Sequence, residues 1–119
     1  MEDSLKKVLV ESGIDVDGAM ERFMNNDAMF MKFLIKFLDD PNMGTLRQGL
    51  EARDTDMAFR AAHTLKGVCG NLSLVSLAKV ASESTEFLRA GDIDSAITKM
   101  PEVEAEYAKA IEVIKNYIQ

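Results

Sequence analysis

One imidazole, one ammonium and two glycines share a helix face in this chain, and no other set of its residues reads as a reactive site. His63 is the only histidine among the 119 residues. Around it, Ala58, Ala61, Ala62, Leu65, Cys69 and Leu72 recur at helical spacing and define a buried stripe. At about 100° per residue, His63 falls roughly 150° from the centre of that stripe, so it belongs on the solvent face. Phe59 and Arg60 lie one turn before it on that face, and Lys66, Gly67 and Gly70 lie one and two turns after. A neutral imidazole offers a ring nitrogen with a free lone pair, which makes it a nucleophile near neutral pH. A lysine one turn away can offset charge on whatever group becomes attached. Each glycine on an exposed helix face costs roughly 1 kcal/mol against alanine and adds nothing to a core. The physical use for such glycines is a cleared path, by which a large partner comes close to the imidazole and modifies it.

The elements that must hold this face are helical. Residues 3–11 read as a short helix closed by Gly13, and residues 17–24 as a second, with Asp17 as N-cap. Asp27 is expected to cap a helix to residue 38, in which Phe30, Phe33, Leu34, Phe37 and Leu38 form a wide apolar stripe. Residues 39–44 break the pattern at Pro41. Thr45 should open a helix to residue 52, and Asp54 should cap the histidine helix. Ser73 is expected to cap the next helix, which ends at Gly91. Asp92 then opens a last region, which Pro101 should interrupt or restart. No strand alternation and no linker appear. The four long apolar stripes, beginning near residues 27, 54, 73 and 92, are satisfied together by an antiparallel four-helix bundle. The expected fold is therefore all-α: one domain over residues 1–119, with the short N-terminal helices covering one end of the bundle.

The stretch Ala62-His63-Thr64-Leu65-Lys66-Gly67-Val68-Cys69-Gly70-Asn71-Leu72 resembles the signature of histidine-containing phosphotransfer (HPt) domains. That pattern is a histidine, any residue, an aliphatic residue, lysine, glycine and then small residues. The resemblance implies that His63 is the phosphoacceptor, that Lys66 stabilises the charge of the phosphoryl group, and that Gly67 and Gly70 leave room for the partner. Many members carry a further glycine about ten residues after the histidine, where this chain has Ser73. The resemblance also implies the mechanism. His63 takes a phosphoryl group from an aspartate on one response-regulator receiver domain and passes it to another, in a relay that can begin at a hybrid sensor histidine kinase. The receivers bring the divalent metal, so the chain itself needs no cofactor, metal or kinase activity. Consistent with that, it contains neither a GxxxxGK[ST] loop nor a kinase glycine loop. The expected partner surface is centred on His63, Gly67 and Gly70, edged by Phe59, Arg60 and Lys66, and extended by Leu74, Val75 and Lys79 from the start of the next helix.

Composition narrows the alternatives. The formal net charge of −6 opposes bulk electrostatic binding to nucleic acid or an anionic membrane. A single cysteine excludes an intrachain disulfide and suits a reducing compartment. With no bilayer-length apolar run and no signal peptide at the start, the expected setting is cytoplasmic and the expected state a monomer. Cys69 lies on the other side of the helix from His63, so the two cannot share an ion. Two other functions use the same residues. A non-catalytic helical adaptor would bind a partner through the His63 face, and the glycines would serve it equally. An enzyme using His63 as a general base would need a cleft and a nearby carboxylate, and none stands three or four residues away.

Overall fold

A computed structural model describes residues 1–119. Its helices are α1 (Asp3–Glu11), α2 (Val16–Arg22), α3 (Asp27–Phe37), α4 (Asn42–Glu51), α5 (Thr55–Asn71), α6 (Val75–Arg89) and α7 (Ile93–Val113). α7 runs on into a π-helical turn over Ile114–Ile118. About 80% of the chain is helical and there is no strand, so the all-α expectation holds.

Local side-chain chemistry sets the helix starts. The Asp54 carboxylate accepts the Met57 N–H at 3.1 Å, and Asp92 accepts the Ser95 N–H at 3.1 Å, so both expected caps form. Three others differ. α2 is capped by Asp15, which accepts from Gly18 at 3.0 Å, while Asp17 pairs with Lys6 at 2.8 Å. α3 is capped by Asn26, which accepts from Met29 at 3.0 Å, and the Asp27 carboxylate instead holds the N-terminal ammonium at 2.7 Å. α4 begins at Asn42 rather than Thr45, because Asp40 accepts both the backbone and the side-chain N–H of Asn42, at 2.9 and 2.8 Å. In α2 and α3 an Asp or Asn one or two residues earlier wins, because a cap must reach the N–H groups two or three residues on.

Pro101 neither interrupts nor restarts α7. It removes one N–H from the ladder, but it stands exposed, and Ile97, whose carbonyl loses that partner, is itself 37% exposed. The cost falls on the solvent side, while Ala96, Val103, Ala110 and Val113 keep the inner face packed.

α5 packs between α4 and α6, α6 packs on α7, and α4 closes back onto α7. α4 thus takes the bundle position expected of α3, which lies instead against the π-helical end of α7, with Phe37 edge-on to Tyr107 at 6.0 Å. Gly49 explains the substitution. A Cβ there would stand 2.8 Å from the Ala58 nitrogen, so α4 and α5 cross at a distance only glycine permits. One continuous core draws buried side chains from every helix, among them Leu9, Leu34, Leu46, Leu65, Leu77 and Val103. α1 and α2 seat on the α5–α6 turn at one end of the bundle, as expected. The Asp15 N–H donates to the Ser73 carbonyl at 2.9 Å, and the Ser76 N–H donates to the Gly13 carbonyl at 3.2 Å.

Candidate functional site

His63 stands at the midpoint of α5, exposed. The stripe of Ala58, Ala61, Ala62, Leu65 and Cys69 is buried and turns the histidine outward, as its spacing requires. Phe59, half-buried one turn earlier, stacks beneath the imidazole with ring centroids 5.8 Å apart and planes 26° apart. The Arg89 guanidinium from α6 lies 5.0 Å from the same Phe59 ring. The imidazole therefore rests on a propped aromatic platform, with its remaining sides toward solvent.

Lys66 is half-buried and forms no ion pair, so its ammonium is uncommitted. Residues three apart on a helix bring their Cβ atoms within about 5–6 Å, which puts Lys66 beside the ring. Arg60 is already engaged: it pairs with Asp56 at 3.1 Å, one turn back, at the N-terminal edge of the face. At Gly67 and Gly70 an added Cβ would meet nothing within 4 Å. Neither glycine is required by internal packing, in contrast to Gly49. His63 itself lines none of the larger surface clefts, although one of about 400 Å³ between α5 and α6 is lined by its neighbour Phe59 together with Thr55, Asp56, Leu88, Arg89 and Gly91.

On α6, Val75 is 47% exposed and Lys79 is exposed, both on the first turns after Gly70. Leu74 does not join them. It is 1% exposed and belongs to the core, which corrects its assignment to the partner surface. The reason is the way α5 ends. The Leu74 N–H donates to the Cys69 carbonyl at 2.9 Å and the Ser73 N–H to the Gly70 carbonyl at 3.2 Å, the paired bonds of a Schellman turn, which tuck the Leu74 side chain into the core. That turn needs a left-handed residue, and Ser73 supplies it at φ 59°. Ser73 is therefore the stop of α5, not the cap of α6, and its side chain caps nothing in α6. A non-glycine residue there costs roughly 1–2 kcal/mol.

One contributor was not visible in the sequence. Arg22 of α2 reaches the end of α5, and its Nη1 donates to the Gly70 carbonyl at 2.9 Å, the Asn71 carbonyl at 3.0 Å and the Ser73 hydroxyl at 3.1 Å. These partners lie 48 to 51 residues away, and no local pattern signals the contact. Beside the same turn, Arg22, Phe23, Phe33, Phe37, Val68 and Asn71 line an apolar cleft of about 360 Å³. Cys69, under the site, is fully buried, and burial pushes its thiol up to about 12. No group of three His, Cys, Asp or Glu side chains converges to hold an ion. No helix is long and apolar enough to cross a membrane.

A family model described as Hpt domain matches residues 36–113, the span from the end of α3 through α7. No curated protein and no solved structure matches the chain.

Proposed function

From the premise that the chain belongs to the Hpt domain family, whose members carry phosphoryl groups by histidine phosphotransfer in two-component signalling and are not kinases, we propose that His63 is the phosphoacceptor. The observation that carries this is its setting: the only imidazole of the chain, at the centre of its helix, propped on Phe59 and facing two glycine positions that nothing in the protein fills. The donor is an aspartyl phosphate on a receiver domain. The unprotonated ring nitrogen attacks phosphorus, a P–N bond forms, the acyl-phosphate P–O bond breaks, and the aspartate leaves as carboxylate. The proton on the other ring nitrogen stays in place. The carboxylate of a second receiver reverses these steps and takes the phosphoryl group on.

Phosphoryl transfer depends mainly on positioning and charge stabilisation. Lys66 supplies the charge, since its ammonium has no competing carboxylate. Phe59 holds the ring, and Gly67 and Gly70 let the receiver approach. Val75 and Lys79 extend the contact onto α6, and Arg60 and Asp56 form its edge as a pair. The receiver supplies the divalent metal. The setting we propose is a cytoplasmic monomer acting as a single domain, which the lone buried cysteine suits.

The test is transfer from a phosphorylated receiver domain to His63→Gln. The amide lacks a comparably nucleophilic nitrogen, so uptake should be abolished, and the thermal midpoint should stay close to wild type at so exposed a position. Uptake at an undiminished rate places the phosphoacceptor elsewhere.

A further inference from the structure

We infer that Arg22 is a positioning residue for the transfer face: from α2, outside the span that the family model matches, it clamps the last turn of the histidine helix and fixes how Gly70 is presented to the receiver. The inference rests on the proposal that His63 and the adjoining glycines form the transfer face.

The clamp meets a specific need. The Schellman turn ending α5 satisfies the Cys69 and Gly70 carbonyls, but the Asn71 carbonyl has no backbone donor, and Arg22 is its hydrogen-bond partner. Ser73 holds a left-handed conformation that favours glycine, and its hydroxyl accepts from the same guanidinium. The serine that strains the turn thus recruits the residue that secures it. A cation at the C-terminal end of a helix also opposes the negative pole of the backbone dipoles there. Gly70 lies at the centre of this arrangement: its carbonyl is held from below by Arg22, and its Cα faces open space. α2 is held in turn at its own start, since the Asp15 N–H donates to the Ser73 carbonyl. Arg22 and the turn therefore form one closed unit at the edge of the transfer face.

His63 is held independently of that unit. It sits two turns back, on Phe59, in a helix whose start is fixed by Asp54. Loosening the last turn should leave the nucleophile in place and disturb only the docking surface. This separates positioning from a general structural role. General destabilisation lowers the fraction of active protein, whereas a loosened docking edge raises the receiver concentration needed for half-maximal transfer.

The experiment uses the full chain and a receiver domain, charged by a small acyl phosphate, that transfers to the wild-type protein. Single-turnover rates are measured against receiver concentration for wild type, Arg22→Ala, Arg22→Lys and Arg47→Ala. Arg47→Ala is the control, since it breaks the Arg47–Glu104 pair between α4 and α7. Arg22→Ala should raise the half-saturating concentration about three- to tenfold, the effect of losing one net hydrogen-bond contribution. Its saturated rate should stay within about twofold of wild type. Arg22→Lys keeps the charge and one donor set, so it should fall between the two. Amide exchange at Ser73 and Leu74 should quicken in Arg22→Ala while exchange near His63 does not. An unchanged half-saturating concentration overturns the inference, and so does an equal rise in Arg47→Ala. Unchanged exchange at Ser73 and Leu74 removes the clamp itself, whatever the transfer kinetics show. If His63→Gln accepts phosphate, the phosphoacceptor assignment fails instead, and the exchange measurement still decides whether the clamp exists.

Discussion

Replacing Gly67 should make the protein more stable and less able to receive phosphate. Gly67 is four residues after His63, on the same face, and a Cβ built there touches nothing within 4 Å. Its backbone φ is not in the left-handed region, so an L side chain is not strained. Gly67→Ala should therefore recover the helix-propensity difference of about 1 kcal/mol. For a chain of this size that raises the thermal midpoint by about 3–6 °C. Gly67→Leu should gain slightly less, and its side chain fills the space through which the receiver is proposed to come. If relieving that overlap costs about 1–3 kcal/mol, transfer slows about five- to 150-fold. The assay pairs thermal unfolding with time-resolved transfer from a phosphorylated receiver. Gly44 of α4 is the matched control, because its Cβ would also meet nothing within 4 Å. Gly44→Ala, in the first turn of α4, should raise the midpoint by less and leave transfer unchanged. Wild-type transfer in Gly67→Leu would falsify the steric account. A lowered midpoint in Gly67→Ala would mean that the glycine serves the fold after all.

Lys66→Ala should slow transfer or shorten the life of the phosphorylated form by about ten- to a hundredfold without abolishing uptake, because it removes a charge-assisted contact worth roughly 1.5–3 kcal/mol and leaves the attacking atom; wild-type kinetics would end the role given to this lysine. Gly49→Ala should do the opposite of Gly67→Ala to stability, lowering it by about 1–3 kcal/mol, since the new Cβ would lie 2.8 Å from the Ala58 nitrogen; an unchanged midpoint in thermal unfolding would show that α4 can step away from α5 freely. Burial pushes the Cys69 thiol from 9.0 to about 12, so between those values the folded chain keeps a proton that the unfolded chain has lost, and stability should fall as pH rises through that window. Denaturant titrations from about pH 8 to 10.5 should show this slope in wild type and a shallower one in Cys69→Ala; equal slopes would rule the thiol out as its source.

The parts of this structure that were legible in the sequence are those written in local periodicity. The buried stripe of α5 alone placed His63 outward, and the Asp54 and Asp92 caps announced their helices. Two of the misread caps, those of α2 and α3, share one cause. Where Asp and Asn stand close together, as at Asp15 and Asp17 or Asn26 and Asp27, composition does not say which one reaches the free N–H groups. The bundle position of α4 was hidden because its close contact depends on an absence, the missing side chain at Gly49, while α3 shows the more conspicuous apolar stripe. Leu74 was misplaced because Ser73 looked like a helix cap, and only the backbone shows it to be a left-handed helix stop, which pulls the following leucine inward. Arg22 could not have been found at all. Its partners are carbonyls nearly fifty residues on, and any residue type offers a carbonyl.

The convex setting of His63 has a kinetic consequence. An imidazole exposed at the crest of one helix can be reached by one globular partner at a time. On the function proposed above, the receiver that donates and the receiver that accepts would use the same ground, so no ternary complex would form and the traffic would be a shuttle with two half-reactions. Steady-state rates should then follow parallel double-reciprocal lines as the two receivers are varied. Each unphosphorylated receiver becomes a competitive inhibitor of the half-reaction it does not serve. Throughput in a cell would be governed by the ratio of receivers to free carrier as much as by the speed of any chemical step.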